Sequence, residues 1–158
     1  MKMSVKSHVL RMLYHFYPAF RGTGGRIVYL SDDFKKIRIK VPLNWRTRNY
    51  VGTIFGGSMY AAVDPIYMVM FIKCLGDRYI VWDRSATIEF KKPGTSTLYA
   101  DFSISNKDLK DIRQKLEIKK KLVRDYSVEL KDSHGVVCCS VVKTLHFMKR
   151  NEQIEQGH

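Results

Sequence analysis

The chain has 158 residues, 45% hydrophobic and 12% aromatic, with 28 Lys and Arg against 15 Asp and Glu for a net charge of +13. A chain of that length forms one domain that buries about 68–70% of its unfolded surface without a disulfide framework or structural metal, and its apolar content excludes a disordered polypeptide. The charge favours an anionic partner: nucleic acid, anionic lipid or a phosphorylated group.

Val5, Val9, Met12, Leu13 and Phe16 recur at helical spacing until Pro18, which predicts an amphipathic helix of about three turns within residues 1–20. Arg11 interrupts the apolar run and no small-residue cleavage site follows, so the segment is not a signal peptide. Gly22–Gly25 reads as a hinge. Arg26–Leu30 and the alternating Ile37, Ile39 and Val41 then make a β-hairpin around Ser31-Asp32-Asp33-Phe34.

After a loop from Pro42 to Thr53, a long apolar helix is predicted over 56–75, from Gly56-Gly57-Ser58 to Leu75, with Gly76 as its stop. Tyr50–Ile72 is long enough to span a bilayer, but it contains Gly52, Gly56, Gly57, Asp64 and Pro65. An acid at mid-span costs about 2.5–3.5 kcal/mol, so the segment reads as a buried core helix and not a membrane span. Four strands are predicted next, at Tyr79–Phe90, Thr97–Ile104, Leu122–Leu130 and Val136–Phe147, with a short helix capped by Asn106 between the second and third. Residues 151–158 have no apolar pattern and read as a disordered tail, leaving a single domain over 1–150. The order implies an α+β fold, an antiparallel sheet wrapped around one long central helix.

Cys74, Cys138 and Cys139 are an odd number, which argues against a disulfide framework and for a reducing cytoplasm. The five histidines are scattered and no C-x-x-C or H-E-x-x-H spacing occurs, so no metal site is expected.

Two features carry chemistry. Gly56 and Gly57 at a helix N-terminus let another group approach unpaired N–H donors, which with the helix dipole can stabilise an oxyanion, although such glycines also serve simply as a tight helix entry. Asp64 is a carboxylate among Tyr60, Ala61, Tyr67 and Met68, followed by Pro65, which disfavours helical geometry before it and frees the Ala61 carbonyl. It reads either as a catalytic acid or as a structural aspartate bonded to a tyrosine hydroxyl or capping a broken helix. Eight residues of helix separate Gly56 from Asp64 by about 12 Å, so one reacting atom can meet both only if they come from two subunits.

The segment Asn49-x-x-Gly52-x-x-Phe55-Gly56-Gly57, the acid Asp64 and the strand end Phe90-Lys91-Lys92-Pro93-Gly94 resemble hotdog-fold acyl-CoA thioesterases of the phenylacetate-pathway type, and more closely an uncharacterised thioesterase-like branch of that superfamily. The resemblance covers about Arg26–Phe147. It implies a hotdog homodimer or homotetramer that hydrolyses thioesters of coenzyme A or acyl carrier protein; coenzyme A is part of the substrate and no separate cofactor is implied. By position, Asn49 would orient substrate or water, the Gly56 N–H would polarise the thioester carbonyl, and Asp64 would be the general base or nucleophile. Phe55 and Gly57 would border the substrate. Phe55 stands where the family usually has histidine, which removes a donor near the carbonyl. The helix from Asn106 replaces what is usually a tight connection. Asp83 falls where the family often carries a polar site residue, which would place Asp83 and Arg84 at the substrate, and Asp83 reads equally as the ion-pair partner of Arg84 or another basic residue.

Residues 1–48 hold eleven Lys and Arg against Asp32 and Asp33, and a second basic cluster lies at Lys115, Lys119, Lys120 and Lys121. These clusters would attract the phosphates of coenzyme A, or are solvated surface. No nucleic-acid motif is present, so nucleic acid is not expected as a partner. The sequence therefore predicts a cytoplasmic thioester hydrolase. Its alternative is a non-catalytic acyl or acyl-CoA binding module, favoured by Phe55, and a hydratase of the same fold lacks its usual histidine and acid pairing.

Overall fold

The computed structural model describes residues 4–150; the tail expected at 151–158 lies outside them. Strands β1 (Arg26–Leu30), β2 (Lys36–Val41), β3 (Tyr79–Phe90), β4 (Leu98–Ser103), β5 (Lys121–Lys131) and β6 (Val137–Lys149) form one antiparallel sheet in the order β1-β2-β4-β5-β6-β3. All six sequence-derived strands are present within a few residues. Alternation does the local work: Ile37, Ile39 and Val41 of β2 turn inward, as do Cys139, Val141, Leu145 and Phe147 of β6.

The helix expected over 56–75 exists as two segments, α3 (Gly56–Val63) and α4 (Ile66–Leu75), joined at Asp64 and Pro65. Asp64 nonetheless keeps helical angles, φ −50° and ψ −53°, so the proline interrupts the hydrogen-bond ladder without turning the backbone out of the α region. Gly56–Leu75 is apolar and long enough to cross a membrane by length and composition. It instead packs in the concave face of the sheet, where Ala62, Val63, Met70 and Phe71 are fully buried. Tyr67 and Phe71 stack with Phe102, Tyr126 and Phe147, at centroid distances of 4.8 Å for Phe71–Tyr126 and 5.0 Å for both Tyr67–Phe102 and Phe71–Phe147. Gly76 ends the helix at φ 84°, as its sequence position indicates.

Helix α5 (Asn106–Ile118) buries Leu109, Ile112 and Leu116. Its cap is Ser105, whose hydroxyl accepts the Asp108 N–H at 3.0 Å; Asn106 is the first helical residue and not the cap.

At the N-terminus, α1 (Val5–Phe16) has the predicted limits but an unexpected orientation. Val5, Val9, Met12, Leu13 and Phe16 are exposed, from 45% at Met12 to 82% at Val5, while Ser7 is buried and Leu10 and Tyr14 pack on the core. Ser4 and Ser7 hydrogen-bond Asp32, which ties this polar inner face to the β1–β2 turn. Pro18 ends α1 and opens α2 (Pro18–Gly22), filling the first helical position, so the expected hinge begins inside a helix. Gly25 belongs to packing: a Cβ there would lie 2.7 Å from the Ala62 Cβ and 3.4 Å from its Cα. Because Ala62 is on the central helix and cannot swing aside, Gly25→Ala should cost about 1–3 kcal/mol and lower the melting temperature by roughly 3–10 °C. An unchanged melting curve would show that the helix yields there.

Candidate functional site

Lys143 is the side chain around which the candidate site is built. It occupies an inward position of β6, between Val141 and Leu145, where a hydrophobic residue is the rule, and its side chain is 1% exposed. Its ammonium group hydrogen-bonds Asp64 Oδ1 and lies 3.1 Å from Asp83 Oδ1. The second contact is an ion pair that falls short of a directed hydrogen bond, since Asp83 Oδ1 has no hydrogen-bond partner. Asp83 reaches the site because it sits inward on β3, opposite Leu145, just before a bulge that places Arg84 on the exposed side. Asp83 is therefore the partner of Lys143, so of the expected ion pairs with Arg84 or another basic residue it is the second that forms.

Burial opposes the charge on Lys143, but its close polar contacts with Asp64 and Asp83 and their negative charges outweigh it and raise its pKa above the ordinary lysine value. Burial pushes Asp83 upward, with Lys143 opposing and the Asp64 charge reinforcing the rise. Tyr60, one turn before Asp64, is raised by burial and then by Asp64, and its ring centroid is 5.6 Å from the Lys143 ammonium. Tyr67 does not hold Asp64: its hydroxyl donates to the Ser127 carbonyl at 3.0 Å, and burial raises it to about 12.

Asp64 also borders a cavity of about 720 Å³ between the N-terminal helices and the central helix. Tyr60, Ala61 and Met68 line one wall and Leu13, Tyr14 and Phe20 the other, so the carboxylate meets a largely apolar space, which Thr23 and Lys73 also border.

Gly56 and Gly57 lie at the start of α3, after Phe55 at the cap position. Neither N–H has an acceptor among the described residues. A Cβ on Gly56 would stand 2.7 Å from the Phe90 ring, so the absence of a side chain admits that ring. Phe55 is 56% exposed, rests its ring on Gly57 and donates its N–H to the Thr47 carbonyl at 2.7 Å. Asn49 spends its amide on its own loop, donating to Thr53 Oγ1 at 2.9 Å and accepting the Thr53 N–H at 3.0 Å. Lys119, Lys120 and Lys121 are exposed; Lys121 pairs with Met148, five residues along β6 from Lys143, or about 17 Å. Lys115 is paired with Asp111 at 3.0 Å.

The structure thus joins Asp64 and Asp83 through a lysine that sequence reasoning missed. The available signal was a lone charge in the inward row Cys139, Val141, Lys143, Leu145, Phe147. Gly56 and Asp64 remain apart within one chain, as their helical spacing requires. Among the described residues no cluster of three or more His, Cys, Asp or Glu could hold a metal ion.

A family model described as a domain of unknown function, DUF4442, matches residues 6–147. The chain belongs to this family. No curated protein matches it. Solved structures do: the Pseudomonas aeruginosa protein PA5026, described as of unknown function and a probable thioesterase, is 15% identical over 90% of this chain and 95% of its own, with a TM-score of 0.80. Thioesterase HI1161 from Haemophilus influenzae is 16% identical over 98% of this chain and 96% of its own, with a TM-score of 0.69. A mutant form of thioesterase PA1618 from Pseudomonas aeruginosa is 11% identical over 93% of this chain and 97% of its own, with a TM-score of 0.68. The DUF4442 chain therefore has the hotdog fold that its motif resemblance implied.

Removing the cation from this site leaves two facing carboxylates without compensation. Lys143→Met should destabilise the protein at pH 7 by about 3 kcal/mol, the low end for breaking a buried pair because Asp64 and Asp83 keep solvent contact. The folded-state pKa of Asp83, already raised, rises further in this variant, so its deficit should shrink as pH falls through that value and protonation neutralises the carboxyl. Urea unfolding of parent and variant at pH 7 and pH 4 measures both effects; an equal deficit at the two values would contradict the charge account.

Proposed function

We propose that the protein is a thioester hydrolase with composite sites, each using Asp64 of one subunit and the Gly56 N–H of another. The observation that carries this reading is Asp64 itself, a carboxylate held at the edge of a largely apolar 720 Å³ cavity. Lys143 engages Oδ1, which leaves Oδ2 to accept a proton from water. The resulting hydroxide attacks the thioester carbonyl carbon, the oxyanion is stabilised by the Gly56 N–H at the positive end of α3, and collapse breaks the C–S bond and expels the thiolate, which takes the proton held by Asp64 and restores the carboxylate. The cavity takes the acyl group, aliphatic or aromatic as in the phenylacetate-pathway type, carried by coenzyme A or acyl carrier protein. The neighbours' names support this chemistry: HI1161 and PA1618 are called thioesterases.

Assembly supports it as well. Strand β3 is a 12-residue edge, and Trp82 and Phe90 on it are 62% and 56% exposed, a surface that a paired subunit would cover. Free Cys74, Cys138 and Cys139 fit a reducing, cytoplasmic setting. Lys119, Lys120 and Lys121, some 17 Å along the sheet, would meet the phosphates of coenzyme A only at the distal end of an extended carrier.

A binding module is the second reading, favoured by Phe55 over Gly57 and by the capture of Asp64 in the Lys143 ion pair. Asp64→Asn separates the two. It should reduce thiol release from acyl-CoA substrates at least about a hundredfold, the lower range for loss of a general base, while acyl-CoA binding survives. Persistent hydrolysis by folded variant would remove Asp64 from the chemistry, and a parent that binds acyl-CoA without cleaving it would establish the binding module.

The composite site has its own test. Gly56→Pro deletes the N–H, and Phe55 already has the extended geometry, φ −62° and ψ 129°, that precedes proline; because the proline Cβ would stand 2.7 Å from the Phe90 ring, the same chain also carries Phe90→Ala. Gly56→Pro and Asp64→Asn should each be inactive alone. Refolded together they should recover about a quarter of parental activity, because half the dimers are mixed and each mixed dimer keeps one intact site. No recovery in verified mixed dimers would end the two-subunit mechanism.

A further inference from the structure

The outer face of α1 is an apolar stripe left exposed among the described residues. Val5, Val9, Met12, Leu13 and Phe16 line a shallow groove on that face, and all five are exposed. The stripe sits against a concentration of positive charge. Phe16 also borders a small cavity ringed by Arg21, Arg26 and Arg46, and none of these arginines has a carboxylate partner among the described residues. Arg46 donates to the Arg21 carbonyl at 3.3 Å and lies 5.9 Å from the ring centroid of Trp45, which is 86% exposed. His15, in the same ring, is lowered by burial and by the nearby charges of Arg26, Arg11 and Arg21, so the electrostatic field at this end of α1 is positive.

We propose that this face of α1, together with Arg21, Arg26 and Arg46, docks on the surface of an anionic membrane. The apolar stripe enters the boundary between headgroups and acyl chains, the arginines take lipid phosphates, and Trp45 lies at the headgroup level. Charge complementarity favours lipid over a second copy of the chain. A copy would bring another N-terminal segment of the same sign, eleven Lys and Arg against Asp32 and Asp33 over residues 1–48, whereas an anionic bilayer neutralises it. The position in the fold leaves the face free for this role: α1 packs on β1, at the opposite edge of the sheet from β3.

Leu13 adds a structural link between the surface and the candidate site. It lines both the outer groove and the cavity bordered by Asp64, so this one side chain lies between the docked face and the space the carboxylate faces. The docking itself does not depend on hydrolysis, and its test uses no substrate, so it stands or falls separately from the thioesterase reading.

The experiment is co-sedimentation of the full chain with vesicles of phosphatidylcholine alone or mixed with phosphatidylglycerol, at low and high salt. Binding should be at least tenfold stronger to the anionic vesicles and should weaken as salt shortens the screening length. Val9→Asp with Phe16→Asp, and separately Arg21→Glu with Arg46→Glu, should each reduce it more than tenfold at unchanged melting temperature, since these side chains are exposed. Equal binding by parent and variants, or none to anionic vesicles, overturns the proposal. Loss of a dimer by sedimentation velocity in Val9→Asp with Phe16→Asp, without vesicle binding by the parent, assigns the face to a second copy. Binding of inorganic pyrophosphate to the arginines without vesicle binding assigns them to a soluble anion.

Discussion

The buried ammonium group of Lys143 is the constraint on which the site depends. A lysine in the inward row of a central strand carries a desolvation cost that only nearby opposite charge can offset. Asp64 comes from the junction of the two central helical segments and Asp83 from the edge strand, so one cation holds three elements in register. Asp64 keeps solvent contact, whereas burial pushes Asp83 towards its neutral form, with Lys143 opposing and the Asp64 charge adding a smaller push. The arrangement also divides the labour of Asp64 between its oxygens, one committed to the lysine and one not. The proposed catalysis and the architecture would thereby use the same pair, and a substitution on either side of it is read correctly only alongside a stability measurement.

The placement of Asp64 follows from the break in the central helix. Pro65 cannot donate to the Ala61 carbonyl, so the ladder is interrupted where a polar side chain must leave an apolar helix. The remainder of that helix is held by close contacts, with Gly25 against Ala62 on one side and an aromatic cluster around Phe71 on the other. Gly56, at the far end of α3, is fixed under Phe90 of the same edge strand that carries Asp83. Both halves of the proposed chemistry thus adjoin β3, an edge of the sheet, and within a chain about 12 Å of helix separates them.

The opposite edge has a different character. There α1 turns a serine and a few partly buried side chains towards β1 and presents its apolar stripe outward, inverting the usual rule for a surface helix. The inversion is specified by polar contacts: Ser4 and Ser7 are held by Asp32 in the β1–β2 turn, which commits that face inward. An apolar face left outward in this way, beside arginines that have no carboxylate partner among the described residues, is the feature on which the proposed docking rests.

Local patterns were sufficient to read the strands, the helix limits, the stop at Gly76 and the unusual character of Asp64, because period, turn residues and helix punctuation act over a few neighbours. The Asn49 to Gly57 motif and the Phe90 to Gly94 strand end likewise carried the hotdog fold through resemblance. Which face of α1 turns inward was not legible, since helical periodicity describes the stripe and not its partner, and Asp32 lies 25 residues from Ser7. The same limit applies to Lys143: it was visible as a charge among Val141 and Leu145, but only pairing of β6 with β3 and packing against the central helix bring Asp64, 79 residues away, to its ammonium group. Sequence determines the elements because their causes are local; tertiary structure decides the site because electrostatic compensation of a buried charge is a relation between residues that the chain keeps far apart.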